Sequence, residues 1–320
     1  MPLQSMEESM KMLSIIIPVY NEEQNISHIV EKLDDLLKEH KITYEIIFID
    51  DGSKDRSWNI LASYHDLPYI TSLRFSRNFG KEAAIFAGLK HAKGDACVVM
   101  DCDMQHPPKV IIEMYELWLT NQFDIIEARK TSTGKETKMH SFFAKLFYKL
   151  LKSTSGMNLE GASDFKLLDR KVIHALNQMP EKLTFFRALS SWVGFRTTQV
   201  YFEVGDRFAG ETKWSFMKLL RYSLNSIASF STLPMQLVTL LGSIFFIFSI
   251  ILGINTLYNL FSGTAEVGFT TVILLLLIIG SVIMFSLGVI GYYLSKIYEE
   301  VKARPKYIVA EIISGDKEEM

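Results

Sequence analysis

The chain has 320 residues, 48% hydrophobic and 22% charged, which is enough to bury a sizeable core and excludes a disordered protein. Its formal net charge of -2 exerts no global pull on nucleic acid, so any anion must be held by local clusters of Lys and Arg.

The N-terminal MPLQSMEESMK lacks the basic start and apolar run of a signal peptide, so the first domain is not expected to be exported. From about residue 11 to 210, short apolar runs alternate with amphipathic stretches. Strands are predicted at Leu13–Val19, Tyr44–Asp50, Ile70–Phe75, Ala96–Asp101 and Phe123–Ala128. Helices are predicted between them at Gln24–Glu39, Lys54–Tyr64, Lys81–His91 and Pro107–Asn121. Near-continuous apolar strands separated by such helices imply an α/β fold with a doubly wound, mainly parallel sheet, Rossmann-like, covered on both faces. Ligands of such sheets sit at the carboxyl ends of the strands. Cys97 and Cys102 lie in or beside the fourth strand, where the pleat disfavours a bridge, so both read as packed free thiols in a reducing compartment.

His140–Lys152 (HSFFAKLFYKLLK) and Trp214–Phe230 are amphipathic. The first is either a basic helix in a headgroup layer or an ordinary helix packed on the sheet. The second runs directly into Met235–Phe261, which carries no charge, as does Val267–Ser295. Each exceeds the roughly 20 residues that span a bilayer core, so two transmembrane helices are predicted as a tight hairpin, a buried soluble hairpin being the alternative. Lys213, Lys218 and Arg221 precede it and Lys296, Lys302, Arg304 and Lys306 follow it, while the short loop between the spans has no basic residue. The positive-inside rule then places both ends in the cytoplasm, and the lack of a signal favours a plasma membrane, although an endoplasmic-reticulum protein would look similar. The expected organisation is a catalytic domain over 1–210, a juxtamembrane helix over 211–232, the hairpin over 233–297 and a tail over 298–320.

Acidic and polar residues close three of the strands: Pro18, Tyr20 and Glu22 at the first, Asp50 and Asp51 at the second, Asp101, Asp103 and Gln105 at the fourth. One such end could be a helix cap, whereas three on one sheet edge point to a site. In an extended Asp101-x-Asp103-x-Gln105, alternate side chains converge on one hard cation, Mg2+ or Mn2+, which would offset charge on a diphosphate leaving group. His106, facing opposite to Gln105, reads as a support for this loop.

The segments IPVYNEE (Ile17–Glu23), IDDGSKD (Ile49–Asp55), RNFGKEAAIFAGL (Arg77–Leu89) and MDCDMQHPP (Met100–Pro108) together resemble inverting glycosyltransferases of the GT-A fold. More narrowly, the chain resembles the polyprenyl-phosphate branch, the dolichol-phosphate mannose synthases and bactoprenol glucosyltransferases. The resemblance continues through Asp164–Arg170, Arg207–Lys213 and the paired apolar spans. It implies that Pro18, Tyr20, Glu22, Asp50 and Asp51 cradle the nucleotide. It implies that Asp101 meets the ribose or the ion, and that Asp103 and Gln105 meet the ion. It also implies that Arg129 meets the acceptor phosphate and that Arg207 and Lys213 approach the phosphates from a loop. Asp164 enters as a catalytic residue, either a base or a positioning group, because a lipid phosphate is already anionic and needs little deprotonation.

The reaction implied is transfer of glucose or N-acetylglucosamine from a nucleotide-sugar, UDP by resemblance, to undecaprenyl or another polyprenyl phosphate with inversion, for cell-envelope glycan modification. A homo-oligomer is compatible with it. The rivals are a processive polysaccharide synthase, whose Gln-x-x-Arg-Trp segment and larger bundle of spans are missing here, and a non-catalytic scaffold that binds nucleotide-sugar.

Overall fold

The structure, a computed structural model, describes residues 11–131, 163–179, 185–203, 233–262 and 268–315. These fall into two compact units, one holding the described residues up to 203 together with 305–315, the other holding 233–262 and 268–304.

The first unit is built on an eight-stranded mixed sheet. Its strands are β1 (Met12–Val19), β2 (Thr43–Asp50), β3 (Ile70–Phe75), β4 (Ala96–Val99), β5 (Ile125–Lys130), β6 (Lys166–Asp169), β7 (Thr197–Phe202) and β8 (Val309–Ser314). The spatial order is β7-β5-β6-β4-β1-β2-β3-β8. The helices of this unit are α1 (Ile26–Glu39), α2 (Ser57–Ala62), α3 (Lys81–His91), α4 (Lys109–Leu119), α5 (Arg170–Asn177) and α6 (Phe186–Trp192).

The central strands are apolar on both faces because helices cover both sides. Leu13, Ile15, Ile16 and Ile17 of β1 are fully buried, as a parallel strand under two helical layers requires. Helix α1 turns Ile26, Ile29, Val30, Leu33 and Leu37 into the core, the i, i+3, i+4, i+7 spacing of one helical face. Each such side chain contributes about 1.5–3 kcal/mol by burial. Helix α3 lies deeper, buried continuously from Ala83 to Leu89, which explains its lack of a polar face. Cys97 and Cys102 are both free and buried.

The predicted strands and helices appear within a few residues of their expected bounds, but the sheet is mixed. β6 enters antiparallel between β4 and β5, and β8 pairs antiparallel with β3. This has a direct consequence for the site. β1, β2, β3 and β4 run parallel, so Val19, Asp50, Phe75 and Val99 end on one edge. Because β6 is reversed, its beginning meets that edge, with Lys166 opposite Val99. Asp164, just before β6, is thereby brought to the same edge as Asp101, just after β4.

In the second unit, α7 (Leu233–Phe261) and α8 (Phe269–Val301) contact one another. Val238–Asn259 and Ile278–Val301 are each long and apolar enough to cross a membrane, and none of their described residues is buried within the structure. Phe246, Ile254, Met284 and Leu294 are among the large apolar side chains they expose.

Candidate active site

The loops after β1 and β2 are laced together through backbone donors. Asn21 N–H donates to Ser53 Oγ at 2.9 Å, Glu22 N–H to Ser57 Oγ at 2.9 Å, and Lys54 N–H to Asn21 Oδ1 at 2.8 Å. Asn21 sits in the left-handed region at φ 55°, which an Asx side chain tolerates better than most. Glu22 Oε2 accepts from Asn25 Nδ2 at 2.5 Å, so its carboxylate secures the entry to α1.

Asp50 and Asp51 have separate surroundings. Asp51 accepts from Phe79 N–H at 2.6 Å and from Gly80 N–H at 2.9 Å, anchoring the loop between β3 and α3. Burial pushes its carboxyl up to about 6, against the opposing effect of those two donors. Asp50 is fully buried, and its Oδ1 accepts from Ser53 N–H at 3.0 Å. Its Oδ2 has no hydrogen-bond partner among the described residues, and the nearest cation is Arg74, with Nε 3.6 Å away. A cavity of about 510 Å³ is lined by Tyr20, Gly52, Lys54, Arg74, Arg77 and Asn78 among others. Gly52 has φ +68°, and a Cβ there would lie 2.7 Å from the Arg77 carbonyl carbon, so only glycine lets the two loops close around the cavity.

The second cluster lies at the ends of β4 and β6. β4 stops at Val99, and Asp101–Gln105 forms a turn instead of the extended run expected from the sequence. Met104 takes φ 62°, and Asp103 Oδ1 accepts from Gln105 N–H at 3.1 Å, an Asx-type contact that competes with strand geometry. His106 is buried, stacks on Phe165 at 4.7 Å, and its Nδ1 accepts from Asp101 N–H at 3.1 Å. Burial lowers the imidazole pKa although Asp101 opposes it, which keeps the ring neutral and able to accept.

Lys81, the first residue of α3, joins the two strand ends. Its Nζ lies 2.5 Å from Asp101 Oδ1 and 2.7 Å from Asp164 Oδ2. Arg187 of α6 takes the other oxygen of Asp164, with Nε 2.7 Å from Oδ1. Burial would raise the Asp164 carboxyl, but Lys81 and Arg187 together hold it far below the usual carboxylate range. Asp101 is likewise held below its ordinary value, with Lys81 overcoming burial. Glu82, whose Oε2 accepts from Phe186 N–H at 2.8 Å, is pushed up to about 7 by burial and by Asp164.

Asp101, Asp103 and Gln105 offer hard oxygen donors on one loop, the type Mg2+ and Mn2+ take. Among the described residues no group of three or more His, Cys, Asp or Glu could hold a metal. Two carboxylates and an amide still suit an ion completed by phosphate oxygens and water, which is the usual mode for Mg2+. The Lys81 ammonium already rests against Asp101, so a cation fits that carboxylate.

Arg129 lies on β5, with Nε 2.9 Å from Glu127 Oε2, and Glu127 Oε1 also meets Lys166 at 2.8 Å. Arg207 and Lys213, the stretch His140–Lys152 and Trp214–Phe230 lie outside the described residues. Sequence reasoning missed Lys81, Arg187 and the cavity-lining Arg74, Arg77 and Asn78. The available signal was the segment RNFGKEAA itself, in which a lysine opens a helix directly after a glycine at φ +101°.

The family model for glycosyl transferase family 2 matches residues 14–176. An uncharacterized glycosyltransferase of Synechocystis sp. is 41% identical over 303 residues, covering 94% of this chain and 95% of that protein. A prophage bactoprenol glucosyl transferase homolog of Escherichia coli is 35% identical over 306 residues, 94% of this chain and 99% of its own length. Among solved structures, glucosyl-3-phosphoglycerate synthase of Mycobacterium tuberculosis, crystallised with Mn2+, UDP and glucosyl-3-phosphoglycerate, superposes with a TM-score of 0.51 at 17% identity. It covers 69% of this chain and 78% of that one, a likeness of fold.

Proposed function

Because the chain belongs to glycosyl transferase family 2, we propose that it moves a sugar, glucose or N-acetylglucosamine, from a UDP-sugar to a polyprenyl phosphate with inversion. The observation that carries this reading is the meeting of two features on one sheet edge. One is the cavity lined by Tyr20, Gly52, Lys54, Arg74, Arg77 and Asn78. The other is the Asp101–Lys81–Asp164 cluster. The near-complete coverage by a bactoprenol glucosyl transferase homolog supports a lipid-phosphate acceptor.

Tyr20 and the loops around Gly52 and Asn78 take the nucleoside, and Asp50, buried behind them, holds the Gly52 loop by accepting from Ser53 N–H. Asp101, Asp103 and Gln105 would hold a Mg2+ or Mn2+ ion, which would supply positive charge to the departing diphosphate. A phosphate oxygen of the acceptor attacks the anomeric carbon as the bond to the nucleoside diphosphate breaks, and no proton has to leave the nucleophile. Asp164, clamped by Lys81 and Arg187, is therefore a positioning group that fixes Lys81 beside Asp101. Arg129, with Arg207 and Lys213, supplies positive charge to the phosphates. The helices α7 and α8 anchor the chain in a plasma membrane with the catalytic domain in the cytoplasm, so the acceptor's tail stays in lipid while its head reaches the site.

Purified full-length protein incubated with undecaprenyl phosphate, Mn2+ and a panel of labelled nucleotide-sugars is expected to place label in an organic-extractable lipid monophosphate. Asp103→Asn is expected to abolish the transfer. Label appearing only in polymer favours a processive synthase, and no labelled product with any donor would sink the enzymatic reading.

A further inference from the structure

Residues 305–315 rejoin the first unit and build the back of the cavity wall. β8 pairs with β3 from Thr71 opposite Ser314 to Arg74 opposite Glu311, and the register then shifts so that Phe75 faces Val309. Ser76 N–H donates to the Ile308 carbonyl at 3.0 Å, and Tyr307 stacks on Phe75 with ring centres 5.0 Å apart. Arg74, Phe75 and Ser76, the residues so gripped, all line the cavity.

One side chain of β8 reaches further. Glu311 Oε1 accepts from Arg74 Nη1 at 2.9 Å, and its Oε2 accepts from Trp58 Nε1 at 3.2 Å. The Arg74 guanidinium lies over the Trp58 ring, 5.4 Å from its centre. On its other side Arg74 Nε stops 3.6 Å from Asp50 Oδ2, outside hydrogen-bond range. An unsatisfied buried carboxylate oxygen is costly. The simplest relief would be for Arg74 to advance and form a bidentate pair with Asp50, yet Glu311 and Trp58 hold it back.

We infer that Glu311 is a positioning residue for the donor site: it holds the Arg74 guanidinium in the cavity wall and off the buried Asp50 carboxylate, so that the wall keeps the shape the nucleotide meets. The inference rests on the nucleotide-sugar reading of the cavity and deepens it by giving the last strand a part in donor binding. Without Glu311 the guanidinium turns to Asp50 Oδ2, 3.6 Å away, and leaves its place in the cavity wall, so the nucleotide binds against a wall that is no longer held. The effect falls on donor affinity, because Glu311 touches neither Asp101 nor Lys81.

The test is a double-variant cycle on full-length protein, with UDP binding measured by calorimetry in excess MnCl2 and steady-state kinetics alongside. Glu311→Gln is expected to weaken UDP binding about three- to tenfold, as befits one partly exposed ion pair. The KM for UDP-sugar should rise in proportion while kcat stays within about twofold. In an Arg74→Gln background, Glu311→Gln is expected to leave UDP binding unchanged, since no guanidinium remains to restrain. Glu311 is half exposed and Gln has its shape, so melting temperatures should match. Equal UDP affinity of wild type and Glu311→Gln overturns the inference, as does the same loss in both backgrounds, which would make β8 a scaffold only. Wild type that fails to bind UDP overturns the nucleotide reading itself.

Discussion

Lys81 and Asp164 form an ion pair with Nζ 2.7 Å from Oδ2, and this contact decides what Asp164 can do. With Arg187 on its other oxygen, the carboxyl is held far below its ordinary range despite its burial. A carboxylate stabilised to that degree is a poor proton acceptor at neutral pH. Asp164→Asn is therefore expected to lower kcat by about 10- to 100-fold through misplacement of Lys81, by the same factor at every pH between about 6 and 8.5. A pH–rate profile in which the variant loses a limb near neutrality would restore Asp164 as the base.

Lys81 itself neutralises two carboxylates that would otherwise repel each other. Removing one partner of a buried pair costs about 3–5 kcal/mol. Lys81 keeps 39% of its side-chain surface exposed, so Lys81→Met is expected to cost less, about 1–3 kcal/mol. The sign of the effect on metal is opposite: removing a positive charge beside Asp101 should tighten Mn2+ binding while turnover falls. Mn2+ titration followed by electron paramagnetic resonance, together with thermal melts, checks both. Weaker Mn2+ binding in the variant would mean that Lys81 supports the ion loop in place of competing with a cation there.

Glu82 gives a stability signature in pH. Its carboxyl is raised to about 7 by burial and by Asp164, whereas an unfolded glutamate titrates near 4.3. A raised folded value means that the stabilising contribution is complete below the unfolded pKa and is lost as pH climbs through about 7. Glu82→Gln keeps an oxygen for Phe186 N–H and carries no charge. Its melting temperature is expected to match wild type below about pH 4.3, to exceed it by a margin that grows as pH climbs to about 7, and to keep that margin above it. A wild type that outlasts the variant at pH 8 would show that Glu82 is stabilised as the anion.

The parts of the molecule written in local periodicity were legible in the sequence. The apolar runs of β1 to β5, the amphipathic α1 and the two long uncharged spans each declare themselves within a dozen or two residues, as did the Asp101–Gln105 loop. What was missed depends on pairing between distant segments. β6 is four residues, KLLD, too short to show an alternation, and its reversed entry beside β4 brings Asp164 to Asp101. β8 carries Glu311 on an apolar run inside the expected tail, and nothing local says that it will meet β3. Lys81 at a helix start looks like a solvated cation until the chain places a carboxylate on either side of it. The Asx contact between Asp103 and Gln105 similarly replaced an extended loop by a turn.

Arg129 is the accessible test of the acceptor side. Glu127 is buried between two cations, Arg129 and Lys166, so deleting the arginine leaves the carboxylate one partner, and Lys166 also donates to Ser190 at 2.9 Å. Arg129→Ala is therefore expected to fold, with a stability loss of about 1 kcal/mol. If its guanidinium meets the acceptor phosphate, a charge-assisted contact worth about 1.5–3 kcal/mol is lost. The KM for polyprenyl phosphate should then rise about 10- to 100-fold while UDP affinity is unchanged. Arg129→Lys should recover only part of this, since lysine keeps the charge but not the bidentate fork. A variant that melts earlier yet binds both substrates like wild type would confine Arg129 to its pair with Glu127, and the phosphate would then have to be met by other cations.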